Sequence, residues 1–344
     1  MKIDVAAPVQ AQRDPRRLAR HAEVAGYDGL WLSEVRHDPF LAVALAATQT
    51  ETIQLGTSVA VAFARSPMST AVLAHDLQAL AGGRFLLGLG TQVKAHITRR
   101  FSMSWSHPAA RLREYVLALR AIWAAWESGE TLGFDGEFYA HTLMPPAFVP
   151  EPHGFGPPPI LLAGVGQAVT EIAGEVADGF LPHGFTTERF LRTVALPALR
   201  RGRDRGREPG SPIVVCGAPM IVTGRTEEEH LAAAAAVRAQ IAFYGSTPSY
   251  RPVLEQHGWD DLGAQLHELS RAGRWTEMAA LVDDDVLGTF AVVAAPERVG
   301  VEVGRRYGEL FDRVSISLPY PVTVDVLDQI AAGIRAVTPA GSLS

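Results

Sequence analysis

PILLAGVGQAVTEIAGEVADGF, residues 159–180, carries the alternation that decides the fold. The apolar run 159–165 reads as a strand, and Ala163, Gly164, Val165 and Gly166 stand where it ends. A helical pattern continues to Val176, and residues 179–181 open the next short strand. Strand, glycine turn, helix and strand make one βα unit of a parallel sheet, which needs crossovers of one hand. Bare backbone N–H groups and the dipole at such a helix start favour an anion.

The same alternation extends in both directions. Upstream, strands are expected at residues 3–8, 29–32, 53–62 and 84–89. Helices are expected at 15–25, with Asp14 as N-cap and Gly26 as stop, and at 42–50 and 67–81. Residues 111–126 form an amphipathic pattern through Leu112, Val116, Leu119, Trp123 and Trp126. Asp135-Gly136 signals a hairpin within 132–140, and the proline-rich stretch 145–159 reads as an ordered irregular connection. Downstream, a helix at 188–203 is interrupted by Pro197, a strand spans 213–222 and a helix 227–243. A strand at 313–318 and a helix at 324–337 complete the series, and about 245–286 reads as a helical insertion. Eight strands alternating with helices predict an α/β fold, a (β/α)8 TIM barrel with insertions, as one domain over 1–344. The rival is a doubly wound dinucleotide-binding fold. Against it, Gly88 and Gly90 come too late for a first-strand fingerprint and lack its spacing.

Composition narrows the classes of function. Of 344 residues 47% are hydrophobic, enough for a large core. Lys plus Arg is 31 against 37 Asp plus Glu, a net charge of −6 with no long basic run, which argues against nucleic acid as a partner. The most basic stretch, RRGRDRGR at 200–207, reads as a solvated segment after a helix. The single cysteine, Cys216, sits in an apolar run and reads as a buried strand residue, which fits a cytoplasmic protein. No apolar run is long enough to cross a bilayer, and the start lacks a signal-peptide pattern.

In a parallel barrel the chemistry sits at the carboxyl ends of the strands. Glu34, His37 and Asp38 follow the second strand, and a histidine among carboxylates can exchange a proton near neutral pH. The alternative is that Asp38 caps the next helix with Pro39 in its first turn. Thr57, Ser58, Val59 and Ala60 are small, so a flat ring could approach the backbone there. Gly90, Thr91 and Gln92 end the fourth strand with close backbone approach and hydrogen-bonding groups. His96 follows, and His183 ends the sixth strand. The spacing of His37 and His96 with the acids matches no metal-ligand set, so no metal is expected.

Taken in order, these segments resemble the luciferase-like flavin and deazaflavin oxidoreductases, and among them the branch that uses coenzyme F420. The resemblance rests on RRLARHAEVA (16–25), GYDGLWLSEVRHDPFL (26–41), LGTSVAVAFARSPMSTA (55–71) and GGRFLLGLGTQVKAHITRRF (82–101). It continues through PPILLAGVGQAVTEIAGEVADGF (158–180) and DRVSISLPYP (312–321). It implies a barrel with a deazaflavin ring at its mouth, a non-proline cis peptide at Ser58–Val59 behind the ring, and a phosphate at Gly164, Val165 and Gly166. His37 and Asp38 match the ring-side polar pair, with Glu34 or Asp38 orienting His37, and Thr91 and Gln92 the polar positions after strand four. A small organic substrate would enter near Phe63, Gln92, His96 and His183. Relatives that oxidise sugar phosphates place an acid near Gln92, and a neutral amide is no general acid, which argues against that substrate class. The alternatives are an FMN-dependent monooxygenase of the same barrel and a non-catalytic cofactor-binding barrel. A homodimer is a further expectation of the resemblance.

Overall fold

A computed structural model describes residues 1–8, 11–208 and 210–337. Eight parallel strands form its centre: β1 (Lys2–Ala6), β2 (Gly29–Leu32), β3 (Gln54–Thr57), β4 (Phe85–Gly90), β5 (Ile160–Gly164), β6 (Gly179–Pro182), β7 (Val214–Gly217) and β8 (Arg313–Ile316). Each pairs with its neighbours in chain order, β1 pairs with β8, and β3 pairs with β4, so the sheet closes into a barrel. Strands β2, β4, β6 and β8 are buried at every residue. That is why they read as unbroken apolar runs rather than as alternation.

Local chemistry sets the helix starts. Asp38 accepts from the N–H groups of Phe40 and Leu41, with Pro39 opening the helix Pro39–Ala47. Ser66 and Pro67 do the same for Pro67–Leu80. Thr226 and Glu229 form a reciprocal capping box ahead of Glu227–Gly245. Ahead of the helix Arg16–Val24, Asp14 Oδ1 accepts from the Arg16 N–H at 3.3 Å, and the same carboxylate makes a bidentate pair with the Arg16 guanidinium. The helix 39–47 therefore begins three residues earlier than its alanine-rich stretch suggests, because the Asp-Pro pair starts it.

Three features depart from the sequence expectation. The strand expected at 53–62 is two pieces, Gln54–Thr57 and Ala60–Val61, separated by a cis peptide between Ser58 and Val59. The run expected as one strand at 213–222 also divides. Its second part, Met220–Val222, leaves the barrel and pairs in parallel with Ala291–Val293. Finally, the outer helix of the seventh unit is Pro296–Tyr307, which lies beyond the insertion. It packs on Val324–Val337 where Gly300 meets Gly333, a contact too close for any side chain. The insertion comprises four helices, Arg251–Glu255, Asp260–Arg271, Trp275–Ala280 and Asp284–Phe290, of which Trp275–Ala280 packs most closely on Glu227–Gly245. The interruption at Pro197 is a π-helical turn, Leu191–Ala195, between Glu188–Phe190 and Leu196–Gly206.

The barrel interior is filled in layers. Near its amino end Arg313 makes a bidentate pair with Asp4, at 2.8 and 2.7 Å. Trp31 Nε1 donates to the same carboxylate at 2.8 Å, and Gln54 Oε1 accepts from Arg313 at 2.5 Å. Gly29 leaves the space for this pair, since a Cβ there would lie 2.6 Å from the guanidinium. Above it Trp31, Leu86, Leu161, Leu181 and Cys216 form an apolar layer, against which Ala6, Val59 and Ala163 pack.

Candidate active site

The carboxyl ends of β2 to β4 build one half of the barrel mouth, and its organiser is an arginine. Arg65 follows the turn Ala62–Ala64 and reaches back across the β2 loop. It bonds both oxygens of Glu34, at 2.7 and 3.0 Å, and Asp38 Oδ2 at 2.8 Å. Glu34 also accepts from the Val61 N–H at 2.8 Å. Burial opposes the charge on Arg65, but the two carboxylates outweigh it and raise its pKa above the ordinary value. The guanidinium rests over Phe40, 5.2 Å from the ring centre.

This arrangement fixes the roles open to the two acids. Asp38 takes the capping role on one oxygen and pairs with Arg65 on the other. Neither carboxylate bonds His37, which corrects the expectation that one of them orients its ring. His37 is exposed and has no hydrogen-bond partner among the described residues. Its imidazole is free to meet a ligand.

Beside this loop the cis bond stands at Ser58–Val59, where the resemblance places it. Ser58 is exposed and Val59 partly so, while Thr57 is buried. Thr57 Oγ1 donates to the Gly88 carbonyl at 2.7 Å and accepts from the Gly88 N–H at 2.9 Å, so it ties β3 to β4. Val59 Cγ2 packs where a Cβ on Gly90 would be, 2.8 Å away, and that same Cβ would lie 3.8 Å from Ala163. Val59, Gly90 and Ala163 therefore meet as a low platform over the apolar layer.

Gln92 has a left-handed backbone, φ 60°, which is uncommon outside glycine. Its Oε1 accepts from the Val93 N–H at 2.9 Å, which leaves the Nε2 hydrogens as donors. Thr91 Oγ1 donates to the Gln92 carbonyl at 3.1 Å. His96 is exposed on the short helix Lys94–Arg99. Phe63 is fully buried, edge-on to Trp105 and 4.7 Å beneath the Arg111 guanidinium. Packing around it leaves no surface for a substrate, contrary to the expectation for that residue.

The ends of β5 and β6 build the other half. Ala163, Gly164, Val165 and Gly166 are all partly exposed, and Gly166 precedes the helix Gln167–Val176 without a side-chain cap. A Cβ on Gly166 would meet nothing within 4 Å, so this turn is open. His183 is partly buried, with Tyr244 edge-on at 4.5 Å and Tyr250 at 4.9 Å. Burial pushes its pKa down to about 4. Its Nδ1 accepts from the Phe185 N–H at 3.0 Å, so in the neutral ring Nε2 carries the proton. Burial likewise pushes the Tyr250 hydroxyl up to about 12.

Arg65, Tyr244 and Tyr250 were not legible as site residues. Arg65 lies in the motif segment 55–71, but nothing local pairs it with acids about 30 positions earlier. Tyr244 and Tyr250 lie at the edge of the insertion, and only the folded chain brings them to β6.

A cleft of about 840 Å3 lies elsewhere, between Ala291–Val293, Glu188 and the helix Pro296–Tyr307, and no mouth residue lines it. Among the described residues no group of three or more His, Cys, Asp or Glu side chains could hold a metal ion, and no helix is long and apolar enough to cross a membrane.

The chain matches the family described as luciferase-like monooxygenase over residues 3–313. It is 50% identical over 306 residues to an uncharacterized protein of Mycobacterium tuberculosis, covering 87% of this chain and 90% of that one. It is 27% identical over 303 residues to the 5,10-methylenetetrahydromethanopterin reductase of Methanolobus tindarius, covering 86% and 85%. Among solved structures, the coenzyme F420-dependent tetrahydromethanopterin reductase of Methanopyrus kandleri superposes with a TM-score of 0.76 at 19% identity, over 97% of this chain and 98% of that one.

Proposed function

We propose, from the premise that the chain belongs to the luciferase-like monooxygenase family, that it is a coenzyme F420-dependent oxidoreductase acting on a small organic substrate. Members of this superfamily carry out redox chemistry on a flavin-like cofactor. The narrower choice of F420 is supported by the methanopterin reductases it resembles. The observation that carries the reading is the platform of Val59, Gly90 and Ala163 above a filled apolar layer. Larger side chains at those positions would stand between a planar ring and the backbone. The open turn at Gly164, Val165 and Gly166 would hold a cofactor phosphate through backbone N–H groups.

When bound, the deazaflavin supplies the hydride donor or acceptor, and the protein supplies binding, orientation and proton handling. His37 is the proton carrier of this reading, because its ring is exposed and unpartnered at the mouth. Glu34 and Asp38 act on it indirectly, by fixing the loop through Arg65. The Gln92 amide offers hydrogen-bond donors and no titrating proton. His183, neutral near pH 7, offers Nε2–H on the opposite side. His96 stands at the substrate edge.

Binding of reduced F420 and of reduced FMN to the purified protein, measured side by side, tests the cofactor. Tight FMN binding without measurable F420 binding would overturn the choice. With a turned-over substrate in hand, His37→Ala is expected to lower the rate by about 10²-fold or more while leaving cofactor affinity intact. An unchanged rate would remove His37 from proton transfer.

A further inference from the structure

The helices Glu227–Gly245 and Trp275–Ala280 pack side by side, and each turns an aromatic ring outward. Phe243 is 54% exposed and Trp275 53%, with ring centres 6.4 Å apart. The contact continues inward. Phe243 meets Tyr244 edge-on at 5.4 Å, and Tyr244 meets His183 at 4.5 Å. Tyr250 closes the inner end, 5.9 Å from Tyr244 and 4.9 Å from His183. Exposure falls along this path: the outer pair is exposed, Tyr244, Tyr250 and His183 are partly so, and Phe185 and Phe290 behind them are buried. Phe185 stacks on Tyr250 at 5.8 Å and on Phe290 at 4.6 Å, so the rings are backed by a packed layer.

This path differs from other exposed apolar groups. Among the described residues four Phe, Tyr or Trp side chains are exposed, and the other two, Phe148 and Phe155, make no ring contact with a residue of the mouth. Charges close to the outer pair are answered. Arg274 and Glu277 pair with each other, and Arg238 is held by Asp284 and the Val282 carbonyl. What the two outer rings offer to solvent is apolar area. Covering such area is favourable, and a ligand site combines it with a few placed polar groups. The polar group at the inner end is the neutral His183 ring, whose Nε2–H is left to donate.

We propose that the substrate carries an extended apolar arm, aliphatic or aromatic, which lies along Trp275, Phe243 and Tyr244 and places a neutral oxygen acceptor, such as a carbonyl, at His183. Tyr244 joins the arm to the head and determines specificity between them. The word substrate rests on the oxidoreductase reading; the apolar wall itself stands on the ring contacts.

The test is ligand-observed NMR titration of the full chain, without cofactor, using methyl ketones from methyl ethyl ketone to methyl hexyl ketone. A wall open on one side removes part of each methylene from water, so affinity is expected to rise about tenfold across the series. The double variant Phe243→Ala, Trp275→Ala is expected to flatten that rise to about twofold and to leave methyl ethyl ketone binding as in wild type. His183→Leu is expected to weaken every ketone by the same factor, because it acts on the shared head. Both outer rings are exposed, so folding is checked by far-UV circular dichroism, and Trp275→Ala alone should give an intermediate slope. No binding of methyl hexyl ketone, affinity independent of chain length, or a rise that the double variant keeps overturns the proposal. Unchanged affinities in His183→Leu overturn the placement of the head. Sedimentation velocity tests the other occupant: a dimer that the double variant dissociates would assign the outer rings to a second copy and overturn the substrate arm. A chain-length rise without affinity for F420 or FMN would remove the redox reading and leave the apolar site in place.

Discussion

The two halves of the mouth solve the placing of polar groups in different ways. On the β2–β4 side the network is ionic: Arg65 joins Glu34 to Asp38, and Glu34 is only 8% exposed. On the β5–β6 side it is neutral: an uncapped glycine turn lies next to a histidine kept uncharged between two tyrosines. Charge fixes a loop through few, strong, directional contacts, at the cost of desolvation. Aromatic cover works through area and sets which protonation state of the imidazole is favoured. One rim can therefore hold one histidine in solvent and another as a neutral donor.

Removing the centre of the ionic half should have the largest effect. Arg65→Ala strands Glu34 beside the Val61 N–H and is expected to cost roughly 3 kcal/mol, read from urea unfolding. A loss below about 1 kcal/mol would place this pair with ordinary surface bridges and erase the contrast. In the neutral half, Tyr244→Ala is expected to cost about 1–2 kcal/mol and to move the His183 pKa back toward its usual value, followed by NMR titration. An unmoved pKa would show that Tyr244 is not what keeps the ring dry. The smallest effect concerns pH. The folded His183 pKa lies near 4, below the ordinary 6.5, so between these values the unfolded chain binds more protons. The stability contributed by the neutral ring is complete above 6.5 and is lost as pH falls toward 4. Accordingly the Tm difference between wild type and His183→Gln should shrink on going from about pH 7 to about pH 4.5. A constant difference would contradict a ring held neutral by its surroundings.

Much of the barrel was legible because its signals are local. Buried parallel strands are apolar on both faces, and glycine, proline and capping residues mark their ends. Residues 29–32 and 324–337 come out with the bounds the sequence suggests. The break within 213–222 was less visible, because Met220–Val222 is as apolar as β7 and differs only in its partner. The helix Pro296–Tyr307 went unread although Val299, Val303 and Tyr307 recur at helical spacing on its buried face. In the site, the capping by Asp38 was readable as one of two alternatives, since Asp-Pro before an apolar run is a short-range signal. The burial of Phe63 was not, because it depends on Trp105 and Arg111, which lie in segments far along the chain.

The pair between Asp4 and Arg313 joins the first strand to the last, 309 positions apart. A growing polypeptide carries that aspartate through 309 further positions before the counter-ion exists. Chains truncated ahead of β8 would leave an unmatched negative charge in the lumen, along with an open edge on either side. Completion of the cylinder thus waits on β8, which pairs with both β1 and β7. The arginine works as a latch that closes the cylinder once the eighth strand is in place.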